Sequence, residues 1–281
     1  MIIKDLINET RILIKKWKKN GYSVGFIPTM GYLHEGHISL VKQSVKENDK
    51  TVVSIFVNPT QFAPTEDFSS YPRNFIADSL MCEDAGADLI FNPTPEEMYP
   101  NNSCTFVDMD KLTKELCGKS RPTHFRGVCT IVNKLFNIIM PDRVYFGQKD
   151  AQQLAVIKRM VKDLDMDIEI IGCPIVREPD GLAKSSRNSY LSIEERKAAL
   201  VVSRAIFEGE RLVKSGERDV VKLINTMRGI IESEPMARID YIEITDAELI
   251  EKITVMRGNI LTAVAVFVGK TRLIDNFICE I

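Results

Sequence analysis

Histidine is scarce in this chain of 281 residues, with three in all, and tryptophan occurs once. The six cysteines are scattered without a C-x-x-C pair, which argues against a disulfide framework or a thiolate metal cluster and suits the reducing cytoplasm. No apolar run approaches the roughly 20 residues that a membrane-spanning helix needs, and neither an internal repeat nor a low-complexity segment is present. Neither sign of charge is in real excess, with 37 Lys and Arg against 39 Asp and Glu. A net charge of −2 excludes the broad basic footprint of a nucleic-acid binder. The first twenty residues, MIIKDLINETRILIKKWKKN, are charged and amphipathic, with Leu6, Leu13 and Trp17 on one helical face, whereas a secretory signal needs a continuous apolar region. What the chain does have is 44% hydrophobic residues, enough to build one large or two medium domains.

The most informative stretch is GFIPTMGYLHEGHISL, Gly25 to Leu40. Val24, Phe26 and Ile27 read as a strand leading into Pro28, which cannot donate to a sheet ladder. The chain then turns through Thr29, Met30, Gly31 and Tyr32. It restarts as a helix with Ile38, Leu40, Val41 and Val45 spaced for one buried face. Two of the three histidines, His34 and His37, lie in that junction with Gly36 between them. A strand running into a helix N-terminus gathers unpaired N–H groups and the positive end of the helix dipole, which suits a phosphate. Gly36 has no Cβ to keep a phosphate away, and two imidazoles on one turn can both donate to phosphoryl oxygens. Zinc is the competing reading, but H-x-x-H with no further Cys or His nearby falls short of the three or four ligands zinc takes.

Further along, Thr51 to Val57 reads as a buried parallel strand followed by the loop Asn58 to Phe62. Ligands bind at the carboxyl edge of such sheets, so Gln61 is either a substrate contact or a loop cap. A helix over 73–85, a short strand over 88–91, a helix over 128–140 and a strand over 143–146 continue the alternation, which implies a doubly wound parallel sheet. The basic run 119–126 reads as a solvated loop. Gly147-Gln148-Lys149-Asp150 lies at another carboxyl edge, and a lysine there meets phosphate as a point charge. Gln153 follows one turn into the helix 151–164, and a strand over 167–172 closes this half. Lys184-Ser185-Ser186-Arg187, after the turn Pro179-Asp180-Gly181, is equally a triphosphate clamp or a bare solvated loop. Ser192 and Glu195 form a capping box opening a helix to about 214. A second helix over 220–233 and three strands, 239–244, 260–268 and 272–279, complete a small α+β region. The expected architecture is a Rossmann-like, doubly wound α/β domain over 1–176, followed by a smaller α+β domain over 177–281.

Together, the H-x-G-H turn and the basic hydroxyl-rich loop resemble the class I aminoacyl-tRNA synthetases and nucleotidylyltransferases. The strings PTMGYLHEGHISLV, VSIFVNPTQF, YPRN, HFRGVCTIV, YFGQKDAQQL and VREPDGLAKSSRNSYLS are similar, in order, to those of the pantoate–β-alanine ligase (pantothenate synthetase) family. That resemblance implies an ATP site built from Pro28, Thr29, Met30, His34, Gly36, His37, Gly147, Gln148, Lys149, Asp150, Val176, Lys184, Ser185, Ser186 and Arg187. Within it His37, His34 and Lys149 would be catalytic. Gln61 and Gln153 would bind pantoate, with Gln61 also near β-alanine. It further implies magnesium with the ATP, a pantoyl-adenylate shielded by a closing second domain, a cytoplasmic homodimer, and no nucleic-acid or membrane partner. The rival activity is nucleotidylyl transfer of AMP to a phosphorylated small molecule. The sequence departs from the family at two places. Ala77-Asp78 stands where relatives often carry paired acids, leaving Asp78 as the candidate metal ligand, and Lys184 replaces an apolar residue.

Overall fold

The computed structural model describes residues 1–64 and 66–281. By internal contacts the chain divides into two compact units. One comprises Met1–Asp110, Arg121–Gly147 and Val156–Cys173; the other comprises Lys111–Ser120, Gln148–Ala155 and Pro174–Ile281. The strands are β1 (Ile2–Lys4), β2 (Val24–Thr29), β3 (Lys50–Ile55), β4 (Leu89–Phe91), β5 (Arg143–Gly147), β6 (Glu169–Cys173), β7 (Ala237–Asp246), β8 (Asn259–Val268) and β9 (Thr271–Glu280). The helices are α1 (Ile7–Lys19), α2 (Glu35–Glu47), α3 (Phe75–Asp84), α4 (Pro95–Met98), α5 (Leu116–Ser120), α6 (His124–Ile139), α7 (Ala151–Asp163), α8 (Ile193–Ala198), α9 (Leu200–Lys214) and α10 (Val220–Glu232).

In the first unit six strands form one sheet in the order β1-β4-β3-β2-β5-β6, every neighbouring pair parallel. Phe26, Ile27, Val52, Val53, Leu89, Ile90 and Phe91 are fully buried, the continuous apolar run of strands covered on both faces. Strand order reverses between β2 and β5, so the carboxyl ends of these two strands border the crevice where such sheets take ligands. Contrary to expectation, β2 continues through Pro28 to Thr29. Its pairing with β5 stops at Phe26, so the missing proline N–H lies beyond that ladder.

In the second unit β7, β8 and β9 form an antiparallel sheet in that order. The apolar faces of α9 and α10, with Val202, Ile206, Leu223 and Met227, share a buried core with Val264 and Val266 of β8. The doubly wound parallel sheet followed by a small α+β region is thus the fold that the sequence led us to expect.

Several boundaries differ from expectation. β1 was hidden inside an amphipathic pattern, because three residues are too few to show a period. α1 buries Thr10, Ile14 and Trp17, while Leu6 precedes the helix and is exposed. In α2 the buried positions are Leu40, Val41 and Ser44, and Val45 faces solvent. α5 ends at Ser120 and α6 begins at His124, so both ends of the basic run are helical. The capping box at Ser192 is present, but its helix is interrupted at Ala199, where Val202 N–H bonds back to the Ala199 carbonyl three residues away.

α2 lies close against β2 because Gly25 leaves room. A Cβ there would sit 2.1 Å from Ser44 Oγ and 2.5 Å from Asn48 Nδ2. Gly25→Ala should therefore destabilise the protein by about 1–3 kcal/mol through overpacking, read as a lower urea midpoint at unchanged slope.

Candidate active site

The first unit builds its polar centre on the end of β2. Thr29 Oγ1 donates to the Ser54 carbonyl at 2.8 Å and accepts the Gly31 N–H at 3.1 Å, starting a tight turn. Gly31 and Tyr32 both take positive φ, +80° and +52°. The strain at Tyr32 is held by Asp78, whose carboxylate on α3 accepts the N–H of Tyr32 at 2.8 Å and of Leu33 at 2.7 Å. Asp78 is buried, 2% exposed, and burial pushes its carboxyl above the ordinary value against the pull of those two N–H groups.

His34 is the N-cap of α2 and His37 its third residue. His34 Nδ1 accepts the Gly36 N–H at 3.1 Å, and His37 Nδ1 accepts the His34 N–H at 3.3 Å. The two side chains close a reciprocal capping box of the kind usually made by Ser or Thr with Glu. A neutral imidazole that accepts at Nδ1 carries its proton on Nε2. Both rings, with centroids 4.1 Å apart, are therefore Nε2–H donors at the positive end of a helix.

Gln61 joins this centre. It is 8% exposed, and its Nε2 approaches Met30 Sδ at 2.9 Å, so two of the expected site residues meet. Its Oε1 accepts from Asn58 Nδ2 at 3.1 Å, and Asn58 Nδ2 also donates to the Gly127 carbonyl. Asn58 Oδ1 accepts from the Tyr99 hydroxyl at 2.8 Å and from Thr60 Oγ1 at 3.0 Å. Gln61 thereby points its amide donor, rather than its oxygen, toward Met30. α6 reaches this loop at Gly127, where a Cβ would sit 2.4 Å from the Thr60 carbonyl oxygen. The basic run is not bare solvent-facing loop either. Arg121 pairs with Glu66 and reaches the Gln61 carbonyl, and His124 Nδ1 lies 2.9 Å from that same oxygen.

The second unit gathers the other expected residues. Gln148–Asp150 is a single 3₁₀ turn, with Lys149 Nζ 3.7 Å from Asp150. Residues 176–184 form a small hairpin: Glu178 N–H bonds to the Leu182 carbonyl and Lys184 N–H to that of Val176. It delivers Ser185, which caps the 3₁₀ turn Ser186–Tyr190 by accepting the Arg187 N–H. Ser186 is buried, and Lys184 pairs with Glu178 at 3.2 Å, so the added charge has a partner inside the hairpin. A narrow cleft lined by Lys149, Ser185, Asn188 and Asp275 brings two of the expected site residues together.

Gln153 is half-buried in this unit, whereas its neighbour Gln152 is buried and holds the carbonyls of Leu112 and Glu115. Pro28 and Val176 are half-buried, and a Cβ at Gly147 would meet nothing within 4 Å. The residues that sequence reasoning missed are Asn58, Arg121, His124, Asp275 and Asn276. The last two left a signal, an adjacent polar pair interrupting an apolar strand.

Magnesium can be tested on Asp78. Its two oxygens are turned onto backbone N–H groups in a buried site, which does not fit a metal ligand. The expectation that Asp78 binds metal is corrected on that ground: it braces the turn instead.

A doubly wound parallel sheet, with paired imidazole donors at a helix N-terminus outside its carboxyl edge, defines a nucleotide-binding α/β protein of the H-x-G-H class. The comparisons narrow the class: the family model for pantoate-beta-alanine ligase matches residues 2–278, and the chain belongs to that family. The pantothenate synthetase of Ruminiclostridium cellulolyticum is 60% identical over 271 residues, covering 96% of each chain. The crystal structure of pantothenate synthetase from Thermus thermophilus superposes with a TM-score of 0.94 at 41% identity, covering 99% of both chains. The pantoate-beta-alanine ligase from Francisella tularensis, complexed with beta-gamma ATP and beta-alanine, gives a TM-score of 0.79 at 36% identity, covering 99% of this chain and 97% of that one.

The Glu66–Arg121 pair makes a pH prediction. Burial works to raise the Glu66 carboxyl, but the hydrogen bond and charge of Arg121 outweigh it and hold the group below its ordinary 4.5. A depressed acid stabilises the fold above its unfolded pKa and loses that contribution as pH falls through the folded one. Wild-type stability in urea should accordingly drop on acidification below about pH 4.5, and Glu66→Gln should show a shallower drop over the same interval.

Proposed function

We propose that this chain catalyses the ATP-dependent condensation of (R)-pantoate with β-alanine to pantothenate, AMP and pyrophosphate through an enzyme-bound pantoyl-adenylate. The observation that carries the reading is the pair of Nε2–H donors on His34 and His37, beside the oriented amide of Gln61, in a chain of this family. In the first step the pantoate carboxylate attacks the α-phosphorus of ATP, the bond to the β-phosphate oxygen breaks, and pyrophosphate leaves as charge builds on the phosphoryl oxygens. Donors fixed in place beforehand stabilise that charge without reorganising, and the reaction needs positioning more than covalent help. His37 and His34 supply such donors. Pro28, Thr29, Met30 and Gly36 form the wall beside them. Lys149, with Gly147, Gln148 and Asp150, holds ribose and phosphates. Val176 lines the adenine site, and Lys184, Ser185, Ser186 and Arg187 contact the triphosphate. Gln61 and Gln153 hydrogen-bond pantoate. The β-alanine amine then attacks the activated carbonyl, expelling AMP.

In this reading residues 1–176 bind nucleotide and pantoate, and residues 177–281 act as a lid that keeps water from the adenylate. Magnesium accompanies ATP as the phosphates' counter-ion. The net charge of −2 supports small-molecule substrates over nucleic acid. Among the described residues no helix is long and apolar enough to cross a membrane. We further propose a cytoplasmic homodimer.

Supplying ATP, magnesium and pantoate with and without β-alanine is the direct test. Pantothenate and free AMP should form only when the amine is present. An AMP-containing end product with no amine requirement would identify a nucleotidylyltransferase instead. His37→Ala should slow single-turnover adenylate formation by roughly two to four orders of magnitude, and an unchanged rate would remove His37 from the chemistry.

A further inference from the structure

We infer that Asn276 of β9 is a positioning residue for Lys149, so that the last strand of the chain sets where the phosphate-binding lysine stands. The inference rests on the reading of Lys149 as an ATP contact. Asn276 is 3% exposed, and its Nδ2 donates to two successive carbonyls, Gln148 at 3.1 Å and Lys149 at 2.9 Å. Its Oδ1 accepts from Gln148 Nε2 at 3.4 Å. One amide side chain thus grips the turn Gln148–Asp150 through both of its ends.

That grip matters because the turn is only three residues long and 3₁₀ hydrogen bonds are in general poorer than α-helical ones, so the side-chain clamp adds to what the backbone supplies. Lys149 adds a long flexible stem, so the place of its ammonium depends on where its backbone is fixed. The neighbouring Asp275, 2% exposed, does the same for the second polar segment. It forms a bidentate pair with Arg177 at 2.7 and 2.9 Å, and Arg177 also donates to the Gly181 carbonyl across its hairpin. Arg177 is bridged to Ala183, from which the chain runs into Lys184 and Ser185. Two adjacent residues of one strand therefore fix the lysine turn and the hairpin feeding the K-S-S-R segment. Lys149 and Ser185 line one cleft together with Leu273, Ile274 and Asp275 of β9.

The test compares Asn276→Ala, Asn276→Ser, Lys149→Ala and the double variant Asn276→Ala/Lys149→Ala, each checked by thermal melting. Pyrophosphate release gives kcat and KM for ATP, and calorimetry gives pantoate affinity. Asn276→Ala should raise KM for ATP about tenfold, the size expected when a buried hydrogen-bonded clamp is lost. Pantoate affinity should stay within about twofold, Asn276→Ser should recover part of the loss, and Asn276→Ala should add nothing to Lys149→Ala. An unchanged KM for ATP in Asn276→Ala, beside a raised one in Lys149→Ala, would overturn the positioning role while leaving the ATP site intact. Independent, multiplying losses in the double variant would overturn it too. Failure of both Asn276 variants to fold would assign the residue to the fold alone. No effect of Lys149→Ala on ATP would instead strike down the underlying reading of the lysine, and the inference with it.

Discussion

The N-terminus of α2 needs hydrogen-bond acceptors, and much of the first unit's chemistry follows from how that need is met. The first turn of any helix exposes N–H groups without intrahelical partners. Here two imidazoles answer through their Nδ1 atoms, which leaves both protons on Nε2. The requirement that stabilises the helix also selects the tautomers. Asp78 extends the arrangement by one step, taking the N–H groups of Tyr32 and Leu33 and so holding the strained turn that presents His34. Gln61 is oriented by the same logic, through Asn58 and the backbone of α6.

Much of this was legible in the sequence because it is local. The strand, turn and helix around His34 are consecutive, and their periods change from two to 3.6 within a dozen residues. The parallel strands announce themselves as apolar runs, and Ser192 with Glu195 spells out a capping box that the structure contains. What stayed hidden depends on residues far apart in the chain. Asp78 lies more than forty positions from the amides it accepts, and so reads as a metal ligand until the fold brings α3 under the turn. Arg121 and His124 looked like a solvated basic run because nothing local reveals that both reach the Gln61 carbonyl. Asn276 lies over a hundred residues from Lys149.

Short elements were misjudged for a different reason. β1 has three residues and cannot display a period, and the interruption between α8 and α9 falls among alanines that favour helix on either side. Pro28 suggested an earlier end for β2 because its missing donor matters only where a neighbouring strand asks for it. The ladder with β5 has already ended there.

The histidine capping box links the protonation of the site to its local folding. Acid that places a second proton on either ring removes the Nδ1 lone pair, and with it the acceptor that the backbone N–H requires. The same proton that turns a neutral donor into a cation therefore loosens the first turn of α2, so charge and geometry at this position cannot be titrated separately.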